Sequence, residues 1–163
     1  MCAAKASKTK SDKKRADKAP DKPKKKAAVA ASTANGDGTR FVVVGNLKGG
    51  SGKSTVVFNL AVWLASQGHP LRLVDLDPQK TLSDLVAVRS ELGWEPILPM
   101  PLDTPELPPA PAGSWTLVDV GAADMAGMLT AVSSADLVLV PVMPGQADIW
   151  ATQRYLKTID RER

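Results

Sequence analysis

From position 40 onward, short unbroken runs of β-branched and aliphatic side chains alternate with longer stretches in which apolar residues recur every three or four positions. Phe41-Val42-Val43-Val44-Gly45-Asn46 is a run of the first kind, suited to a strand buried on both faces. The stretch after it places Val57, Leu60, Ala61 and Leu64 on one side of a helix, which Gly68 stops with Pro70 just beyond. Leu71-Arg72-Leu73-Val74-Asp75 predicts a second short buried strand, and a polar turn leads from it to a helix over 82–90. Runs at 115–120 and 137–142 read as two more interior strands, separated by a small helix over 125–133. A last helix over 147–159 is expected to align Ile149, Leu156 and Ile159 on a common face, with Asp148 near its positive end.

Strand, helix, strand, helix is the rhythm of βαβ units. It predicts an α/β fold: a doubly wound, mainly parallel sheet flanked by helices. One stretch breaks the rhythm. Pro96, Pro99, Pro101, Pro105, Pro108, Pro109 and Pro111 withhold backbone donors, so that segment is expected to hold at most a short edge strand within an extended loop. No internal repeat is apparent.

Composition changes the picture mainly at the N-terminus. Residues 1–39 contain few large apolar side chains and cannot bury enough surface to offset chain entropy, so a disordered tail is expected there, followed by one ordered domain over 40–163. Residues 1–26 carry eleven Lys/Arg against three Asp/Glu, whereas the remaining 137 carry ten against fourteen. A basic arm on a mildly acidic body suits contact with a polyanion such as DNA through residues 5–26; it reads equally as a solvated, solubilising tail. Cys2 alone excludes an internal disulfide or a cysteine-rich cluster within one chain. No apolar stretch approaches the ~18 residues of a membrane span, and a cytoplasmic protein is expected.

The chemistry concentrates where the first strand meets the first helix. Gly49, Gly50 and Gly52 lack β-carbons, so the backbone there can curl and aim its N–H groups at a phosphate chain, aided by the helix dipole. Lys53 would reach the β- and γ-phosphates, and the Ser54 hydroxyl would ligate Mg2+, leaving most other positions on the ion to phosphate oxygens and water. Ser51 and Thr55 complete the expected phosphate contacts. The plain phosphate-loop pattern fails, because position 47 is Leu rather than Gly, while a second lysine stands at Lys48.

Lys48-Gly49-Gly50-Ser51-Gly52-Lys53-Ser54 instead resembles the deviant Walker A box of the ParA/MinD ATPases, P-loop proteins that include plasmid and chromosome partitioning motors. Asp75-Leu76-Asp77-Pro78-Gln79 resembles that family's second box, and Asp119, ending a hydrophobic run, resembles a Walker B aspartate. The stretch from Leu139 to Ala151, with Pro141 and Asp148, resembles the strand, proline turn and helix start of small plasmid-type members. The resemblance implies an ATPase that binds ATP and Mg2+ and dimerises around nucleotide. Lys48 would then act on the partner subunit's nucleotide, Asp77 would orient the attacking water, and Asp75 and Asp119 would brace the magnesium shell. It further implies nonspecific DNA, a ParB-like or cargo-adaptor protein as stimulating partner, and work at the nucleoid without a membrane. Family members usually continue past the last helix read here, and a trimmed site that has lost nucleotide sensitivity would leave a DNA-tethering or scaffold protein instead. Trp63, Trp94, Trp115 and Trp150 are scattered singly and read as packing or half-exposed anchors, and His69 as a helix-end or surface residue.

Overall fold

The computed structural model describes residues 38–162. The basic segment 5–26, Cys2 and all but the last two residues of the expected tail lie outside the described residues. The elements run β1 (Arg40–Val44), α1 (Lys53–Ser66), β2 (Leu71–Asp75), α2 (Thr81–Glu91), β3 (Trp115–Asp119), α3 (Met125–Ser133), β4 (Leu137–Leu139) and α4 (Gln146–Glu162). The four strands form one parallel sheet in the order β2-β3-β1-β4.

Alternation along the strands sorts the side chains into two layers. Phe41 and Val43 of β1 join Val74, Val118 and Val120 beneath α3 and α4, where Met128, Ala131, Val132, Tyr155 and Ile159 meet them. Val42 and Val44 join Leu73 and Leu117 on the opposite face against Val57, Ala61 and Leu64 of α1 and Leu82 and Val86 of α2. Both faces of β1 and β3 are therefore covered, which is why their sequences are continuous apolar runs. Val43, Val44, Leu64 and Val118 are fully buried. Truncating Leu64 to Ala would leave a cavity costing ~2–5 kcal/mol.

The strand order sets where a ligand fits. From β1 the chain crosses through α1 on one face to reach β2, whereas from β3 it crosses through α3 on the other face to reach β4. The loops leaving the carboxyl ends of the neighbouring strands β1 and β3 therefore part to opposite sides. A crevice opens at that switch point, as in other doubly wound sheets.

The expected elements are found, with two corrections, one to β4 and one to the buried face of α4. β4 is three residues long, ends before Pro141 and forms an edge of the described sheet, rather than an interior strand reaching Val142; Leu137 and Val142 are about half exposed. On α4 the buried positions are Thr152, Tyr155 and Ile159, while Ile149 and Leu156 face solvent. Apolar periodicity missed this face because two of its three members carry hydroxyls. At the other edge, as expected of the proline-dense stretch, Leu102 alone pairs with the outer side of β2 in an isolated parallel bridge. Asp75 N donates to Leu102 O at 2.8 Å and Leu102 N to Leu73 O at 2.9 Å, so the proline-dense stretch does contribute a minimal edge contact.

Candidate functional site

Between β1 and α1 the chain passes through Gly50 at φ 73° and Gly52 at φ 85°, left-handed conformations that strain any residue with a β-carbon. α1 therefore starts abruptly at Lys53 with no side-chain cap, and its first N–H groups are free to serve a ligand. Asn46 props the loop from below: its Oδ1 accepts from Lys48 N at 3.2 Å, and its Nδ2 donates to Pro141 O at 2.8 Å and Thr152 Oγ1 at 3.2 Å. Ser51 Oγ closes the turn onto Lys48 O at 3.2 Å. Tyr155 fills the space beside Gly45, its hydroxyl only 2.5 Å from where a β-carbon at 45 would sit.

A cavity of about 490 Å3 opens above the loop. Its walls are Gly49, Gly50, Gly52 and the Lys53, Ser54 and Thr55 start of α1; Asp77, Pro78, Gln79 and Thr81 beyond β2; and Ala122 and Ala123 beyond β3. Seven sequence-predicted residues thus meet on one cavity. Ser51 is buried beneath it, and Lys48, Asp75 and Asp119 are not on its lining. Thr81, Ala122 and Ala123 had no role in the sequence reading. Their signal was positional, since each follows closely on an aspartate that ends a strand.

The three carboxylates differ sharply. Asp75 is buried but engaged: Oδ1 accepts from Asp77 N at 3.2 Å, and Oδ2 from Ser83 N at 3.0 Å and Ser83 Oγ at 2.8 Å. It serves as a surrogate cap for α2, whose own N-cap residue, Lys80, has φ 52° and no capping side chain. Asp77 Oδ1 accepts from Gln79 N at 2.9 Å. Asp119 is fully buried, and neither of its oxygens accepts a well-formed hydrogen bond. Burial pushes its carboxyl up from 3.8 to about 6; repulsion from Asp75 and Asp77 adds to this, while the nearby Ser54 hydroxyl and Lys53 ammonium oppose it. Ser54 biases the carboxylate without closing a bond of standard geometry.

The two lysines point differently. Lys53 is buried and folds back so that Nζ donates to Lys48 O at 3.4 Å, in the loop it would serve. Lys48 reaches away to Asp148 Oδ1 at 2.7 Å, on the first turn of α4. The lysine side chain is 42% exposed, so this pair is worth at most ~1 kcal/mol and is readily exchanged for another anion.

Whether a hard cation fits can be judged from the donors. Among the described residues, no three His, Cys, Asp or Glu side chains converge into a cage. An orphaned carboxylate beside a hydroxyl at the head of a helix nevertheless suits Mg2+, which takes few protein ligands and completes its shell with phosphate and water. Also among the described residues, no helix is long and apolar enough to cross a membrane.

Comparison with known proteins agrees with this geometry. Residues 42–160 match the model of the CobQ/CobB/MinD/ParA nucleotide binding domain. The chain is 32% identical over 129 residues to the maintenance of carboxysome distribution protein A of Halothiobacillus neapolitanus, covering 75% of this chain and 59% of that protein. It is 39% identical over 120 residues to the chromosome-partitioning ATPase Soj of Thermus thermophilus, covering 64% of this chain and 46% of that one. It thus spans about half the length of these curated relatives. Its fold is similar to that of a putative plasmid partition protein from Borrelia burgdorferi B31 bound to AMPPNP, with TM-score 0.56 and 14% identity over 76% of this chain and 70% of that one. A similar likeness, TM-score 0.56 and 15% identity over 72% of this chain and 58% of that one, holds for pNOB8 ParA bound to nonspecific DNA. By its matched residues, its parallel sheet and the glycine loop at the switch point, the chain belongs to the CobQ/CobB/MinD/ParA nucleotide-binding domain family.

Proposed function

We propose that this family member is a Mg-ATP-dependent switch that dimerises on binding nucleotide, hydrolyses it slowly when a partner stimulates it, and thereby segregates DNA or positions a cargo. The observation that carries this reading is Asp119, a buried carboxylate without a well-formed hydrogen bond, placed behind a glycine-lined cavity and beside Ser54. Burying such a group costs stability unless a ligand compensates it.

In this mechanism the N–H groups from Gly49 to Thr55 hold the phosphate chain, and Lys53 swings from Lys48 O onto its terminal oxygens. Ser54 would ligate Mg2+ and Asp119 would brace its shell, with Asp75 supporting from behind through its own bonds to Asp77 N and Ser83. When bound, the ion neutralises charge on the phosphate oxygens. Asp77, on the cavity wall and fixed by Gln79 N, orients the attacking water. Lys48 leaves Asp148 to stabilise charge on the nucleotide of a second subunit, an exchange that the weak, half-exposed pair permits.

The relatives' roles in chromosome partitioning and carboxysome distribution suggest the kind of output, and the basic segment 5–26 supplies a surface for nonspecific DNA. A ParB-like or adaptor protein as stimulator and a nucleoid-associated, cytoplasmic site of action complete the proposal. Its test is ATP turnover by the full chain, with and without DNA, beside a Lys53→Ala control. Hydrolysis that disappears in the control is the expected result. Equal, lysine-independent behaviour would leave a nucleotide-insensitive DNA tether.

A further inference from the structure

Two kinds of glycine are found at the cavity, one on its lining and one just behind it, and they differ physically. Gly50 and Gly52 have positive φ and open space where a β-carbon would sit, so backbone conformation is what they supply. Gly121 is the reverse: its φ is ordinary, and it is buried. A β-carbon there would lie 3.1 Å from Asp77 Cγ, 3.1 Å from Asp77 Oδ1 and 3.1 Å from Pro78 Cδ. Absence of a side chain at 121 is therefore what admits the Asp77 carboxylate.

We propose that Gly121 is a positioning residue for Asp77, its bare Cα forming the back wall that sets where the carboxylate stands over the cavity. This rests on the role given to Asp77 above. The same oxygen, Asp77 Oδ1, is held by Gln79 N at 2.9 Å, so the carboxylate meets both a donor from its own turn and the chain beyond β3. The two loops are also tied at their roots. Asp75 and Asp119 are in register on adjacent strands, and Leu76 N donates to Asp119 O at 2.9 Å. The next two residues after Gly121, Ala122 and Ala123, line the same cavity as Asp77. A methyl at 121 has no free direction. Pro78 is a rigid ring, so Asp77 must yield by a few tenths of an ångström, against its bond to Gln79 N. The glycine loop takes no part in this contact, and phosphate binding should survive the change.

The experiment uses the full chain and the variants Gly121→Ala and Gly121→Val, with Mg-ATP as the probe. At saturating nucleotide, kcat is expected to fall about 5- to 10-fold for Ala and further for Val, while Kd from calorimetry stays within about two-fold, the split expected when a reacting group is displaced but binding is not. Independently of nucleotide, thermal melts of Gly121→Ala, Asp77→Ala and the double variant form a cycle. Gly121→Ala should lower Tm, and should lower it less once Asp77 has been truncated. Unchanged turnover, affinity that falls in step with turnover, or a Tm loss equal in both backgrounds would each overturn the proposal. A wild-type chain with no Lys53-dependent hydrolysis overturns the functional reading and the catalytic part of this one together; the melt cycle still separates that result from failure of the contact.

Discussion

Two buried oxygen-bearing side chains set much of the energetics at the scale of single residues. Asp119 in the folded chain holds its proton up to about pH 6, against 3.8 for an ordinary aspartate. The folded state therefore binds that proton more tightly than the unfolded state. The resulting stability is complete below pH ~4, declines as pH rises toward about 6, and is absent above, a difference of up to ~3 kcal/mol for a shift of this size. Asp119→Asn should accordingly melt higher than the parent at pH 7.5, with the gap closing near pH 4, and should lose any Mg-ATP-dependent rise in Tm. A variant that is less stable than the parent at pH 7.5 would contradict this account. Tyr155 poses the same problem in a neutral group: its hydroxyl is fully buried without a partner, and burial lifts its pKa to about 12. Tyr155→Phe removes an uncompensated polar atom, so it is expected to stabilise the fold by ~1 kcal/mol. The parent should also lose stability between pH 10 and 12, as the unfolded tyrosine ionises first, and the Phe variant should lack that share of the loss in an alkaline denaturation series. At this scale the sequence was informative about residue types but not about their surroundings. Asp75, Asp77 and Asp119 all stand at or just past strand ends, yet only packing decides that the first caps a helix, the second faces the cavity and the third is orphaned.

Elements were legible where burial is purely apolar. β1 and β3 are covered on both sides, so an unbroken run of Val and Leu marks them, and β2, α2 and α3 fall where the pattern placed them to within a residue or so. The helix α4, Asp148 in its first turn and the burial of Ile159 were legible too, but the rest of its buried face was not, because it docks with polar side chains. Asp148, Thr152 and Tyr155 lie at spacings of four and three, and they meet Lys48, Asn46 and Gly45 in turn. One face of α4 thus follows the glycine loop residue by residue. A hydrophobic count scores that face as surface. The central contact can be measured: Thr152→Val keeps shape but removes the hydroxyl that accepts from Asn46 Nδ2 at 3.2 Å in a buried setting. A cost of ~1 kcal/mol is expected. In the Asn46→Ala background the same substitution should cost less, because the shared bond is already gone. Additive losses in urea denaturation would show that the helix does not lean on the loop through this pair.

At the scale of the whole molecule, the two sides of the sheet are well packed but its two edges are not equivalent. β2 is shielded by Leu102 from the proline loop, whereas β4 has no strand beyond it among the described residues. Apolar side chains on and just after β4 are open to solvent: Leu137, Val142 and Met143 are each about half exposed. An open parallel edge offers unpaired N–H and C=O groups to any extended chain, and adjacent apolar surface strengthens the attraction. The isolated chain should therefore self-associate as its concentration rises, without nucleotide. Leu137→Lys tests this with little cost to the core, since the side chain is already 49% exposed and its strand partner, Val42, is held by its own layer. Placing a charge on the edge should oppose pairing through it. Sedimentation across a concentration series should then give a falling average mass for the variant relative to the parent, at an unchanged Tm. A parent that stays monomeric throughout, or a variant that associates equally, would mean that β4 is protected in a way its edge position does not reveal.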